Sequence, residues 1–529
     1  MSELDEAKKQ IEALYGENHK ITDGNYDKSC AVKCVNGTFV GRRADGVVAF
    51  KGIPFVGKQP SGELRWKAPV DVVPDDGVYE AYYFGKVPRQ AASPGQMGSL
   101  YPQSEECLHL NVWKADDASA EKKPVMVWIH GGAYEVGSTA EPREEGTNFV
   151  RENPDIILVS IEYRLNAFGF LRLSHLPDGA DYPDAQNLGL MDQIAALKWI
   201  HENIAAFGGD PGNVTIFGQS AGGGSVSLLP LVEGSHEYFQ KVIAQSGSPA
   251  LTRSTEQSIE CANKIMKELG CTTVADLMKL DPGKIVEAAA NVVTMPLTTP
   301  ERDGKFLPKE PYAAYESGAV KDIVIMQGCT KDECDYFVGG AGTEAFTPWA
   351  ERCKAEKLAQ LTDEEKALVE SYLADMQGTD YEILSNFLDQ FWFKAPLIRT
   401  AESQVKGNGK TYVYYFRVES SVPLIKSGHA IELSELFNHP EETLITGRRL
   451  DATFSKTVRK MWVQFAKCGN PSLPAHISPD GKAKEWPLYD LEDKQVMVFD
   501  EFDIHVEKES SVDIVDWDRT YFLTNYYVH

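Results

Sequence analysis

Short runs of apolar residues, too brief for helices and too continuous for a half-exposed sheet, recur through the middle and C-terminal parts of the chain. They are PVMVWI at 124–129, DIILVSIEY at 155–163, NVTIFG at 213–218, KVIAQSG at 241–247, DIVIMQG at 322–328 and TYVYYFRV at 411–418. Runs of that length, rich in Val and Ile, read as strands buried on both faces. Between the second and third, Leu190, Ile194, Leu197, His201 and Ile204 recur at helical spacing, and Gly208, Gly209 and Pro211 end the pattern. Strand, crossover helix and strand make a parallel unit. Its repetition predicts an α/β fold: a large, mostly parallel sheet flanked by helices, with chemistry in the loops beyond the carboxyl ends of the strands. No internal repeat, low-complexity tract or Gly/Ser linker divides the chain. The expectation is one large domain, 26–529, after a helical extension over 1–25 in which Leu4, Ala7, Ile11 and Leu14 share a face.

Composition narrows the function classes. With 529 residues, 43% hydrophobic and 25% charged, the chain can bury a substantial core and is neither a disulfide-stapled module nor a disordered segment. A net charge of −25 repels polyanions, which argues against nucleic acid as a partner. No run approaches the ~18 apolar residues of a spanning helix; the strongest, 156–161, is closed by Asp155 and Glu162. The first residues lack the basic and apolar regions of a secretory signal, and nine cysteines cannot all pair within the chain. A reducing, cytoplasmic location is expected, with secretion after signal removal as the minor alternative. Nothing in the pattern specifies an oligomer. Cys30 and Cys34 form a lone C-x₃-C without a second pair, and no HExxH occurs, so no metal or other cofactor is expected.

The loop after NVTIFG carries the clearest chemistry. Gly218, Gln219, Ser220, Ala221 and Gly222 form G-x-S-x-G between a strand and a Gly-rich helix start that Pro230 limits. This is the pattern of a nucleophile elbow, which holds a serine in a strained turn at a helix N-terminus. The alternative reading is a helix-capping serine, but a strand before and a helix after together favour the elbow. An acyl-transfer site also needs backbone donors for the oxyanion. Gly131 and Gly132, between His130 and Ala133 after the strand at 124–129, can supply two, and the Ala221 N–H a third. In this architecture the acid and then the histidine follow the serine. His429, His439 and His476 remain as bases once helical, strand and terminal histidines are set aside, and His429 sits in a loop after the strand at 411–418. Asp332, Glu333 and Asp335 all follow the strand at 322–328, and spacing does not choose among them.

Several ordered blocks resemble the type-B carboxylesterase family, the cholinesterase-like branch of the α/β hydrolases. They include FKGIPF at 50–55, LRWKAP at 64–69, SEECLHLNVW at 104–113, HGGA at 130–133, EYRLNAFGFL, the long block NLGLMDQIAALKWIHENIAAFGGDPGNVTIFGQSAGG, QSGS at 245–248, TKDE at 330–333 and SGHAIELSELF. The resemblance runs from about residue 30 to the C-terminus. It implies an α/β-hydrolase fold with helical excursions capping a deep pocket, Ser220 as nucleophile, Glu333 as the acid and His429 as the base. It further implies Gly131, Gly132 and Ala221 as the oxyanion hole and Ser246 as a serine supporting the histidine and acid.

The implied activity is cofactor-free hydrolysis of a small-molecule ester. Rival readings are an inactive binding or adhesion protein on the same fold, and an esterase specialised for a lactone, carbamate, feruloyl or polyester-derived substrate. The departures from the family pattern also inform. FGKVPRQ lacks the cysteine that would pair with Cys107, whereas Cys261 and Cys271 resemble another family pair and could be bridged. Gln219 stands where cholinesterases have Glu, and no Trp lies between Lys67 and Val112, so a choline site is not expected. Phe387, Phe391, Trp392 and Phe393 are either pocket or core.

Overall fold

The computed structural model describes residues 15–91, 97–117, 119, 121–292, 298–512 and 520. Most of the extension expected over 1–25 lies outside them. The chain gathers into two compact units: 1–216 with 233–240 and 253–306, and 217–232 with 241–252 and 307–529.

In the first unit Ile157–Ile161 pairs in parallel with Lys123–Ile129 and antiparallel with His109–Ala115, which pairs antiparallel with Val47–Pro54. All five residues of Ile157–Ile161 are buried, as a strand covered on both faces requires. The crossover helix is Leu188–Asn203, extended by a 3₁₀ turn to Phe207 and stopped by Gly208 at φ 92°. Glycine enters that left-handed conformation without a Cβ penalty. The next strand, Gly209–Gln219, begins earlier than its apolar run suggests. A small sheet of Ala31–Cys34, Asn36–Val40 and Asp75–Glu80 was not legible as such. Thr255–Leu269 is a helix with a complete capping box between Ser254 and Gln257. Together with Val274–Met278 and Pro282–Val292 it buries Cys261, Ile265, Leu277 and Ile285 in a cluster with Trp66 and Phe168.

In the second unit Lys241–Gln245, Val324–Thr330, Thr411–Phe416 and Gln495–Asp500 pair in parallel, and Asp503–Lys508 closes the series antiparallel. Every residue of Lys241–Gln245 and of Thr411–Phe416 is buried. Between the second and third of these strands the chain makes a long helical excursion that includes Thr343–Leu358, Asp363–Asp375 and Asp380–Asp389. It returns through a π-helical turn, Gln390–Lys394, into Ala395–Lys406. Mostly parallel strands with crossover helices make this the α/β-hydrolase fold. No described helix is long and apolar enough to cross a membrane. All nine cysteines, Cys107, Cys261 and Cys271 among them, are free thiols.

Candidate active site

Ser220 stands between the strand Gly209–Gln219 and the helix Ala221–Leu228 at φ 60°, ψ −123°. A non-glycine residue held there costs about 1–3 kcal/mol, so the surroundings must fix it. They do so through backbone bonds: Ser220 N–H donates to the Gln245 carbonyl at 2.8 Å, and Gly224 N–H donates to the Ser220 carbonyl at 2.8 Å. The close approach also demands glycine nearby. A Cβ on Gly223 would lie 2.5 Å from the Gln245 carbonyl oxygen, and one on Gly247 would lie 2.3 Å from that of Ser220. From 214 to 230 every residue is buried except Ser220. The fold thus exposes one hydroxyl at the top of a closed strand and helix.

Of the three candidate acids, Glu333 is the one placed against His429. His429 Nδ1 donates to Glu333 Oε2, and the His429 N–H donates to the Glu333 carbonyl at 3.1 Å. Oε1 of the same carboxylate accepts Thr330 N–H at 2.7 Å and Ser246 Oγ–H at 2.5 Å. Asp332 instead accepts Ser427 N–H at 3.3 Å, and Asp335 pairs with Lys426 at 2.9 Å and accepts from Ser385. His439 lies against Glu441 at 3.2 Å, and His476 is exposed in its loop. With Nδ1–H given to Glu333, neutral His429 keeps its lone pair on Nε2. That atom lies 3.0 Å from Gln219 Nε2, and among the described residues no hydrogen bond joins it to Ser220.

Aromatic rings lie beside the histidine, and of these Tyr336 and Phe337 were not singled out by the sequence. Phe393, carried by the π-helical turn, places its ring centroid 4.9 Å from that of His429, with Phe337 at 5.9 Å and Tyr336 at 6.2 Å. Trp392 packs on Phe337 at 6.4 Å and on Trp349 at 5.4 Å. Phe387 and Phe391 are buried and pack on one another, and Phe391 also packs on Trp392. Tyr336 and Phe337 follow Glu333 by about one turn of chain, a spacing that could have flagged them. Below, Cys334 N–H donates to buried Asp389 at 2.6 Å, and Asp389 pairs with buried Lys394 at 3.6 Å. This ties the Glu333 loop to the turn bearing Phe393. Glu432, one helical turn after His429, is buried; burial raises its carboxyl above the usual range, against the Gln245 amide that donates to it at 2.9 Å.

The other expected donors, Gly131 and Gly132, belong to the first unit. Gly132 has φ 108°, and a Cβ there would meet the Val136 carbonyl oxygen at 2.0 Å, so the loop requires glycine. Tyr163 O–H donates to the His130 carbonyl at 2.8 Å. Burial disfavours charge on His130, yet Glu162 beside it raises the ring above its ordinary value. A cavity of about 510 Å³ in the same unit is lined by residues such as Asn18, Phe39, Tyr79, Phe84 and His109 and holds none of the expected catalytic groups. Among the described residues no group of three or more His, Cys, Asp or Glu is placed to hold a metal ion.

This strand, elbow and histidine–carboxylate arrangement defines a serine hydrolase of the α/β class. Residues 28–512 match the model of the Carboxylesterase family, and the chain belongs to it. It is 33% identical over 494 residues to the para-nitrobenzyl esterase of Bacillus subtilis (strain 168), a match covering 90% of this chain and 96% of that protein. It is 30% identical over 482 residues to the acetylcholinesterase of Bungarus fasciatus, covering 84% of this chain and 77% of that one. The crystal structure of the Geobacillus stearothermophilus carboxylesterase EST55 at pH 6.2 superposes with a TM-score of 0.80 at 31% identity, covering 93% of this chain and 99% of that one. The protein is a carboxylesterase, a serine hydrolase of carboxylic esters.

Proposed function

We propose that Ser220 is the nucleophile, His429 the general base and Glu333 the group that fixes the tautomer and orientation of His429. The observation that carries this is the Glu333 carboxylate: one oxygen is held by Thr330 N–H and Ser246 Oγ–H, and the other receives His429 Nδ1–H. A carboxylate so held leaves Nε2 as the basic atom and stabilises the imidazolium once it forms. Ser220 Oγ attacks the ester carbonyl carbon while its proton passes to His429 Nε2. The carbon–oxygen bond to the alcohol then breaks, and the same proton leaves with the alcohol. Water attacks the acyl-enzyme with His429 again as base, releasing the carboxylic acid and restoring Ser220. Ala221 N–H, first in the helix after the elbow, serves as an oxyanion donor. In this reading the alternative of an inactive binding protein has no support, since all three groups are present.

The substrate is a neutral ester with an apolar acyl or alcohol group. Phe393, Phe337 and Tyr336 face the histidine with apolar rings, and the residue before the nucleophile is the neutral Gln219. A cytoplasmic location accords with nine free thiols. The deciding experiment compares acetylthiocholine with 3,3-dimethylbutyl thioacetate, its uncharged isostere, alongside phosphonate labelling of wild type and Ser220→Ala. The isostere is expected to match or exceed acetylthiocholine in kcat/KM, and only wild type should be labelled. A preference for the cation above about tenfold, more than an exposed cation–π contact contributes, would overturn the substrate assignment.

A further inference from the structure

Neutral His429 has one acceptor, and the structure shows it facing the wrong neighbour for attack. Nδ1–H is given to Glu333, so the lone pair that must receive the Ser220 proton is on Nε2. That atom lies 3.0 Å from the amide nitrogen of Gln219. An amide nitrogen only donates, so Gln219 N–H donates to His429 Nε2; the flipped amide would set two lone pairs against each other. Gln219 is buried, and the elbow beside it is pinned by the bonds of Ser220 to Gln245 and Gly224. Exchange of partners at Nε2 therefore falls to the side chains, not to the backbone.

We propose that Gln219 is a positioning residue that occupies the acceptor nitrogen of the base in the resting enzyme, so that acylation requires exchange of the Gln219 N–H for the Ser220 O–H. The proposal rests on the assignment of Ser220 and His429 made above. Gln219 holds the imidazole in the working tautomer between substrates, since only a ring with a free Nε2 lone pair can accept from it. The same contact competes with the nucleophile, because Nε2 has a single lone pair. Gln219 thus keeps the base ready at the expense of speed.

Replacement separates this from a structural role. Gln219→Met keeps the length and removes the donor, and Gln219→Leu removes the donor with a shorter, branched side chain. Both should accelerate acylation about three- to tenfold, roughly the worth of one neutral hydrogen bond. Acylation is read as kcat/KM for p-nitrophenyl acetate and as the second-order rate of labelling by a neutral phosphonate. Gln219→Glu puts an acceptor opposite Nε2, which pairs only with the protonated ring, and should slow both rates at pH 7.5. A merely structural residue would slow all three variants.

A second readout needs no activity. In ¹⁵N-histidine-labelled Ser220→Ala protein, adding Gln219→Met should move the His429 Nε2 resonance downfield, as expected when a lone pair stops accepting. The resonance is identified by its loss in His429→Asn. An unmoved resonance, or Met and Leu variants no faster than wild type, overturns the proposal. Failure of the underlying assignment looks different: Ser220→Ala would keep its activity, or the phosphonate would label another residue.

Discussion

Exchanging Glu333 for Gln changes one group and should nearly abolish catalysis without loosening the fold. The side chain is fully buried and accepts from Thr330 N–H at 2.7 Å, Ser246 Oγ–H at 2.5 Å and His429 Nδ1–H. Glutamine is the same size and keeps an oxygen for the first two donors. Toward His429 it presents an N–H, and two N–H groups cannot share one bond. The imidazole answers by moving its proton to Nε2, where it blocks the base. Restoring the working tautomer leaves opposed buried donors, at about 1–3 kcal/mol for each unsatisfied group. The lost carboxylate charge no longer stabilises the imidazolium, a contribution of about 4 kcal/mol for charges about 4 Å apart at an effective dielectric near 20.

The two contributions overlap, because both concern the same proton. The larger alone corresponds to about 10³ in rate and part of the smaller to about tenfold more, so kcat/KM should fall about 10³- to 10⁴-fold. Active-site titration with a phosphonate over long times keeps the count of folded sites in view, and thermal melting checks the fold. Asp335→Asn is the control, because its carboxylate serves Lys426 and Ser385, and it should stay within tenfold of wild type. Glu333→Gln retaining kcat/KM within tenfold of wild type for p-nitrophenyl acetate would refute the assignment of the acid.

Ser246→Ala removes a hydrogen bond to the Glu333 carboxylate and should lower kcat about ten- to a hundredfold with little change in KM, in keeping with about 1.5–3 kcal/mol for a bond to a charged group. Phe393→Ala, which vacates a ring 4.9 Å from His429, should raise the hexanoate-to-acetate ratio of kcat/KM by about tenfold, the scale on which small changes of pocket volume discriminate; an unchanged ratio would place that ring outside the substrate's reach. Burial pushes His109 down to about 4. Its folded value lies below the unfolded one near 6.5, so the unfolded chain takes up the extra proton and stability falls as pH drops from about 6.5 toward 4. His109→Gln should lose less stability than wild type between pH 7 and 4.5, by about 2–2.5 kcal/mol in urea melts, and parallel losses would refute the attribution.

The strands were legible because continuous Val- and Ile-rich runs have few alternatives to burial on both faces, and Lys241–Gln245 and Thr411–Phe416 bear this out residue by residue. Their ends were less legible. Gly209–Gln219 starts in a segment whose Gly and Pro read as a helix stop, because strand pairing there outweighs local preference. The small sheet that includes Asn36–Val40 and Asp75–Glu80 was missed because its partners lie far apart in the chain and only partly alternate. The serine was readable for the opposite reason: an elbow is local, and strand, turn and helix lie within twenty residues.

The acid shows where local reasoning ends. Asp332, Glu333 and Asp335 have similar chemistry and lie within one turn of each other, so nothing local ranks them. What separates them is where the chain from 426 to 429 arrives: Ser427 N–H meets Asp332, Lys426 meets Asp335, and His429 Nδ1 meets Glu333. Each acid is claimed by a different partner from one short loop about ninety residues away. The same holds for Gln219. Its identity is plain in the sequence, but its donor can be weighed against the Ser220 hydroxyl only once the fold has brought His429 Nε2 to 3.0 Å from its amide. A motif therefore singles out a candidate nucleophile, while the partners of the candidate base are decided by contacts that no spacing rule contains.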